Sequence, residues 1–129
     1  MIYGCVCAAC GTRATELHHI IFRGQNKQLE NCKLNFVFLC HKCHRGTNGV
    51  HGTKGHKLDL KFKKHFQDKL DLLFVKEFLE IKEIKLTLKI DEKAVNRLLK
   101  TVQIKEGKYF REDVIRACMG GKMIVEDKG

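Results

Sequence analysis

The hydrophobic rhythm of the chain changes once, at a glycine-rich stretch from Gly46 to Gly55. Before it, apolar residues come in short β-branched or aromatic segments. These are Thr15-Glu16-Leu17-His18-His19-Ile20-Ile21-Phe22 and Lys33-Leu34-Asn35-Phe36-Val37-Phe38-Leu39, separated by a polar stretch from Arg23 to Cys32. The pattern predicts two strands of a hairpin joined by a long loop. A helix is expected from about Cys40, and it must be short because Gly46 and Gly49 both weaken helix.

After the glycines the spacing becomes helical. Phe66, Leu70, Leu73, Phe74 and Ile81 share one stripe and Leu72, Val75, Leu79 and Leu86 a second, so this helix is expected to be covered on more than one side. Ile84, Leu86, Leu88 and Ile90 alternate with Lys85, Thr87 and Lys89, which favours a strand, with continuation of the helix as the competing reading. Asp91 is placed to cap a helix carrying Ala94, Val95, Leu98, Leu99 and Val102 on one face, with Gly107 beyond its end. A last short helix, from about Phe110 to Cys118, stops at Gly120-Gly121. The expected fold class is α+β, with a cysteine- and histidine-rich module at 1–57 and a mainly helical tail at 58–129 that serves packing, dimerisation or DNA grip.

With 129 residues and 43% hydrophobic composition, the chain can bury one modest core. Charges interrupt every apolar run, so no stretch reaches the roughly 20 residues of a membrane span. Met1-Ile2-Tyr3-Gly4 lacks a basic region leading into an apolar one, so no secretory leader is expected and the chain is placed in the cytoplasm. In that reducing setting the seven cysteines point to metal ligation rather than disulfides.

The net charge of +10 favours a polyanionic partner. The first sixty residues matter most. They hold eight Lys and Arg, six of the seven histidines and, as acids, only Glu16, Glu30 and Asp59. The second half is also basic, but its acids are plentiful and its charges read as a solvated surface.

Cys7-Ala8-Ala9-Cys10-Gly11 and Cys40-His41-Lys42-Cys43 are two CxxC pairs, each able to present two thiolates from one tight turn to a tetrahedral Zn²⁺. Gly11 permits the turn that lets amide groups face the sulfurs. Binding of such a structural ion is worth on the order of 10 kcal/mol, which offsets the ordering cost of a module with a small apolar core. Cys5, Cys32 and Cys118 have no partner at favourable spacing, and ordinary packing is expected of them. In a strand, neighbouring side chains point to opposite faces, so His18 and His19 cannot easily bind one ion. A division of labour follows, in which one ligates and the other takes a proton.

The elements between and around the cysteine pairs are Glu16-Leu17-His18-His19-Ile20, then Asn35, then Cys40-His41-Lys42-Cys43-His44. In this order they resemble the HNH, or ββα-metal (His-Me finger), endonuclease family. The similarity covers roughly residues 5 to 52 and is greatest to small bacteriophage HNH proteins, where a stretch like Cys43 to Gly52 recurs.

The resemblance implies a metal-dependent endonuclease that hydrolyses DNA and leaves a 5′-phosphate, in phage recombination, replication or packaging inside a bacterial host. It assigns His18 to a catalytic divalent metal and His19 to the general base that deprotonates the attacking water, a role suited to an imidazole with an ordinary pKa of about 6.5. It offers His44 as the second ligand, with His51 as the alternative. Asn35 either holds His19 through a backbone contact or ligates the ion itself. The ion would act as a Lewis acid on the scissile phosphate and the departing oxygen.

Many family members have Asp where this chain has His18, which moves the expected metal from Mg²⁺ toward Mn²⁺, Ni²⁺, Co²⁺ or Zn²⁺. Glu16 on the same strand face is a weaker candidate for an oxygen ligand. Duplex or branched DNA would be gripped mainly through phosphates by Arg23, Lys42, Arg45 and Lys54, helped by Arg13, Lys27, Lys33 and Lys57. Two rival readings carry different consequences: a non-catalytic zinc module that binds nucleic acid, and a protein-interaction domain whose tail is the working part.

Overall fold

The computed structural model describes residues 5–125. Residues 1–4, on which the leader reading rests, lie outside the described residues. Strands β1 (Glu16–His19) and β2 (Phe36–Leu39) pair antiparallel, with Glu16 opposite Leu39 and His19 opposite Phe36. The long connection between them contains two 3₁₀ turns, Lys27–Leu29 and Lys33–Asn35, the second of which replaces the start of the expected strand. Helix α1 (His41–Arg45) follows β2 directly and is as short as the flanking glycines require.

The loop after α1 folds back on it: Val50 N donates to the Cys43 carbonyl and His51 N to the His44 carbonyl. Gly52 and Gly55 are needed there. A Cβ at either position would overlap the carbonyl oxygen of Gly46 or Gly49, so no side chain fits.

The tail begins with α2 (His56–Leu73), an 18-residue helix that starts ten residues before the stripe read from sequence and ends before Phe74. Its buried line is Phe62, Phe66 and Leu70, one residue per helical turn, continued by Phe74 at its C-cap. The expected second stripe is not covered: Leu72 and Val75 are exposed, and Leu79 is buried from a different element. Strand β3 (Phe78–Leu79) comes next, then α3 (Ile81–Leu88) where alternation favoured a strand. The structure corrects that reading. Ile84 and Leu88, four apart, face the core with no exposure while Leu86 is turned to solvent, and the Glu83 side chain accepts from the Glu80 N–H at the helix start.

Asp91 caps α4 (Glu92–Leu98) as expected, its carboxylate accepting from Ala94 N at 2.8 Å. Val95, Leu98 and Leu99 are buried beneath it. Gly107 does not end that helix. It sits with Glu106 at the tip of a hairpin, β4 (Ile104–Lys105) and β5 (Lys108–Phe110), where both residues have positive φ. Such a pair makes a two-residue turn whose twist matches the strands. β5 lies between β4 and β3 in a three-stranded sheet, too short to be read from periodicity. α5 (Arg111–Cys118) ends before Gly120 and Gly121, both at positive φ.

The overall class is mixed α+β. One apolar cluster runs from Cys7, Ile20, Ile21 and Leu29 through Phe66, Ile84 and Val95 to Met119. Polar ties cross it. Asn26 donates to the Ala117 and Cys118 carbonyls, and the Cys32 thiol to the Leu88 carbonyl, so the β1–β2 connection is anchored to the tail. Among the described residues, no helix is long and apolar enough to cross a membrane.

Candidate metal centres

The four motif cysteines, Cys7, Cys10, Cys40 and Cys43, bring their sulfurs within 4.8 Å of one another. The first pair sits on a tight turn closed by Gly11 N to the Cys7 carbonyl, with Gly11 at φ +78°, and Ala8 N is bonded to the Phe38 carbonyl at the end of β2. That bond docks the first turn on the strand leading into the second pair. Amide groups face the sulfurs, Ala9 N on Cys7 and Cys43 N on Cys40, each at 3.4 Å. Burial would raise the Cys7 thiol, but N–H groups of Cys40, Cys10 and Ala9 outweigh it and bring its pKa down to about 6. Cys43 moves up, through burial and then through its three cysteine neighbours. Four thiolates this close repel one another unless a cation stands among them, and the cluster fits a structural zinc.

A second cluster shares α1 through His44. Nitrogens of His18, His44 and His51 also fall within 4.8 Å of one another. His18 and His44 are buried and His51 is exposed, so the trio is walled at the back and open at the front. Sequence reasoning held His44 and His51 as alternatives; the folded-back glycine loop brings both to His18. The Nε2 atom of His18 is buried and has no hydrogen-bond partner among the described residues. Burial first, then the neighbouring His51 and His44, lower its pKa to about 3, so the ring stays neutral and keeps a free lone pair. The pKa of His51 is also lowered, by burial first and then by His44 and Arg45.

Glu16, two residues from His18 on the same strand face, accepts from His44 Nδ1 at 2.7 Å. That hydrogen bond, with a further one from His41, holds the Glu16 carboxyl below its usual pKa. It also leaves Nε2 as the ligating nitrogen of His44. The carboxylate therefore orients a ligand rather than serving as one, the arrangement that tunes many metal-bound imidazoles. The spacing of Glu16 and His18 on one strand face was the signal available in the sequence.

His19 projects from the opposite face of β1. Its Nε2 lies 2.9 Å from the Glu30 carbonyl and its ring packs edge-on against Phe36, with centroids 5.0 Å apart. A carbonyl only accepts, so in the neutral ring Nε2 carries the proton and Nδ1 holds the lone pair. Asn35 has no exposure, and the hydrogen bonds of its side chain go to backbone: Oδ1 accepts from Ile21 N at 2.7 Å, and Nδ2 donates to the carbonyls of Ile21 and Leu29. Ile21 lies two residues beyond His19, and Leu29 one before Glu30.

Of the four cations expected to grip DNA, Arg23, Lys42 and Lys54 are exposed and make no ion pair among the described residues, whereas Arg45 lies 3.9 Å from Glu16. Cys32 and Cys118 are buried in the apolar cluster. No family model matches the chain, and no curated protein or solved structure matches it.

Proposed function

We propose that the protein is a metal-dependent endonuclease acting on DNA, with β1, β2 and α1 forming a zinc-braced ββα-metal unit. The observation that carries this reading is the split of adjacent histidines: His18 turned inward to an open histidine trio, and His19 turned the other way with its Nε2 fixed on a main-chain carbonyl. The trio gathers three imidazole nitrogens and is exposed to solvent at His51, the pattern of a site that works on a substrate rather than one that only braces a fold. A divalent ion held there would polarise the scissile phosphate and stabilise the departing oxygen. An all-imidazole set favours Mn²⁺, Co²⁺, Ni²⁺ or Zn²⁺ over Mg²⁺.

The residues do the remaining work. His19 Nδ1 takes the proton of a water whose oxygen attacks phosphorus, and the bond from phosphorus to the 3′ oxygen breaks, leaving a 5′-phosphate. General-base action of this kind contributes about 10² to 10⁴ in rate. Asn35 is a positioning residue: by pinning Ile21 and Leu29 it fixes both the strand that carries His19 and the loop that carries its acceptor Glu30. Arg23, Lys42, Arg45 and Lys54 supply a basic surface for phosphates, with duplex or branched DNA as substrate.

The test is cleavage of supercoiled, linear, branched and single-stranded DNA with Mn²⁺, Mg²⁺, Co²⁺, Ni²⁺ or Zn²⁺ added to zinc-loaded protein. His19→Ala is expected to lose at least a hundredfold in rate while DNA binding and melting temperature stay unchanged. If the native chain leaves every DNA intact with each of these metals, or if His19→Ala cuts as fast, the reading is wrong.

A further inference from the structure

The tail contains a second basic surface that the nuclease reading does not use. Helices α3 and α4 are joined by three residues: Lys89, which ends α3 in the left-handed conformation at φ 53°, then buried Ile90, then the cap Asp91. Ile84 and Leu88 from the first helix and Val95 and Leu98 from the second are buried together in the core, and the two helices pack on each other. Two short packed helices across a turn of this length have the connectivity of a helix-turn-helix, whose second helix can enter a DNA groove. The β4–β5 hairpin follows α4 closely, and β5 is tied to β3 at the entry to α3, so the hairpin stands as a wing on the same unit.

The side chains agree with the topology. Val95, Leu98 and Leu99 define the buried face of α4. With 3.6 residues per turn, Lys93 and Arg97 then point away from that face and Asn96 lies on its flank, Lys100 follows in the turn after the helix, and all four are exposed. On the wing Lys105 pairs directly opposite Lys108, an arrangement of like charges that is unfavourable without an anion nearby.

Two acids share this surface, Glu92 at the start of α4 and Glu106 at the wing tip, and the five bases Lys93, Arg97, Lys100, Lys105 and Lys108 outnumber them; other acids of the tail are committed elsewhere. Asp59, Asp68, Asp71, Glu83, Glu112 and Asp113 each pair with a base outside this surface, and Asp91 is held by its cap. Lys93, Arg97, Lys100, Lys105 and Lys108 form no ion pair among the described residues.

We infer that α3, α4 and the β4–β5 hairpin form a winged helix-turn-helix that lays α4 in the major groove of double-stranded DNA and reads base edges with Asn96 and Arg97. A major groove about 12 Å wide admits one helix, Arg matches the O6 and N7 of guanine, and Asn the N6 and N7 of adenine. The lysines of the wing contact phosphates and set affinity without reading sequence. The loop that carries Glu30 packs against α4 through its 3₁₀ turn, so a duplex held by the tail lies beside the element that orients His19. The inference concerns binding alone and stands apart from the cleavage chemistry.

The test uses the full zinc-loaded chain with no other divalent metal added, and a randomised pool of short DNA duplexes from which bound molecules are selected. A short consensus is expected. Arg97→Ala and Asn96→Ala should each weaken binding to the selected duplex by about tenfold and relax one position of it. Arg97→Lys, which keeps charge, should retain salt-dependent affinity but lose that base preference. Lys105→Ala with Lys108→Ala should weaken all duplexes alike and reduce the salt slope by about 2.

Absence of any consensus, an unchanged preference in Arg97→Lys, or equal competition by single-stranded DNA or RNA would overturn the inference. So would full affinity in the Lys93→Ala, Arg97→Ala, Lys100→Ala variant. Lys93, Asn96, Arg97 and Lys100 are exposed, so melting temperatures should not move; a loss of binding that tracked a loss of folding would also count against the assignment. A chain that selects a consensus yet never cuts DNA would leave this inference standing and remove only the nuclease reading.

Discussion

The two clusters of metal-ligating side chains that meet at α1 differ in chemistry and in exposure. The cysteine set draws two sulfurs from each of two tight turns, four in all, with backbone N–H groups directed at Cys7 and Cys40. The histidine set draws one ligand from a strand, one from a helix and one from a glycine loop, and it stops at three. Closed thiolate sites brace folds, whereas three-ligand sites with a free side accept water or substrate. Cys43 and His44 are adjacent on one short helix, so an ion held by the first set would also fix the position of one member of the second.

The sharpest break in that comparison comes from removing the brace. Cys43→Ser, or a strong chelator, should unfold the β1–β2–α1 region, because structural zinc supplies on the order of 10 kcal/mol to a region with few apolar residues of its own. Far-ultraviolet circular dichroism and released zinc should change together; retention of native signal without metal would show that the apolar cluster suffices.

Asn35→Ala comes next. It strands the Ile21 and Leu29 backbone groups in the interior and should cost about 2–3 kcal/mol, seen in urea melts, with cleavage falling further than folding does. A variant as stable as the native chain would deny Asn35 its clamping role. Smaller again is Glu16→Ala, which should weaken binding of a second ion by about tenfold and leave the zinc content at the cysteines unchanged. Equal affinity would mean that His44 needs no orienting partner.

Much of the site was legible because its determinants are local. CxxC spacing fixes two sulfurs on one turn, strand alternation separates His18 from His19, and Gly46 and Gly49 limit α1. What was not legible depends on contacts between distant segments. His51 joins the trio only because Gly52 and Gly55 let the loop fold against α1, and Glu16 finds its role only when β1 lies beside that helix.

In the tail, Ile84, Leu86, Leu88 and Ile90 satisfy a two-residue period by coincidence; tertiary packing selects Ile84 and Leu88 and turns Leu86 outward. The strands β3 and β4 are two residues long, below any period a sequence can display.

Whether the histidine trio is a metal centre distinct from the cysteine cluster is decided by calorimetric titration of Mn²⁺ or Zn²⁺ into protein already holding one zinc. One additional ion should bind to the native chain and to His19→Ala, and the event should vanish in His18→Ala with the cysteine-bound zinc retained. If no second ion binds, or if His18→Ala takes it up as well as the native chain, the trio is not a metal centre and the proposed chemistry has no place to occur.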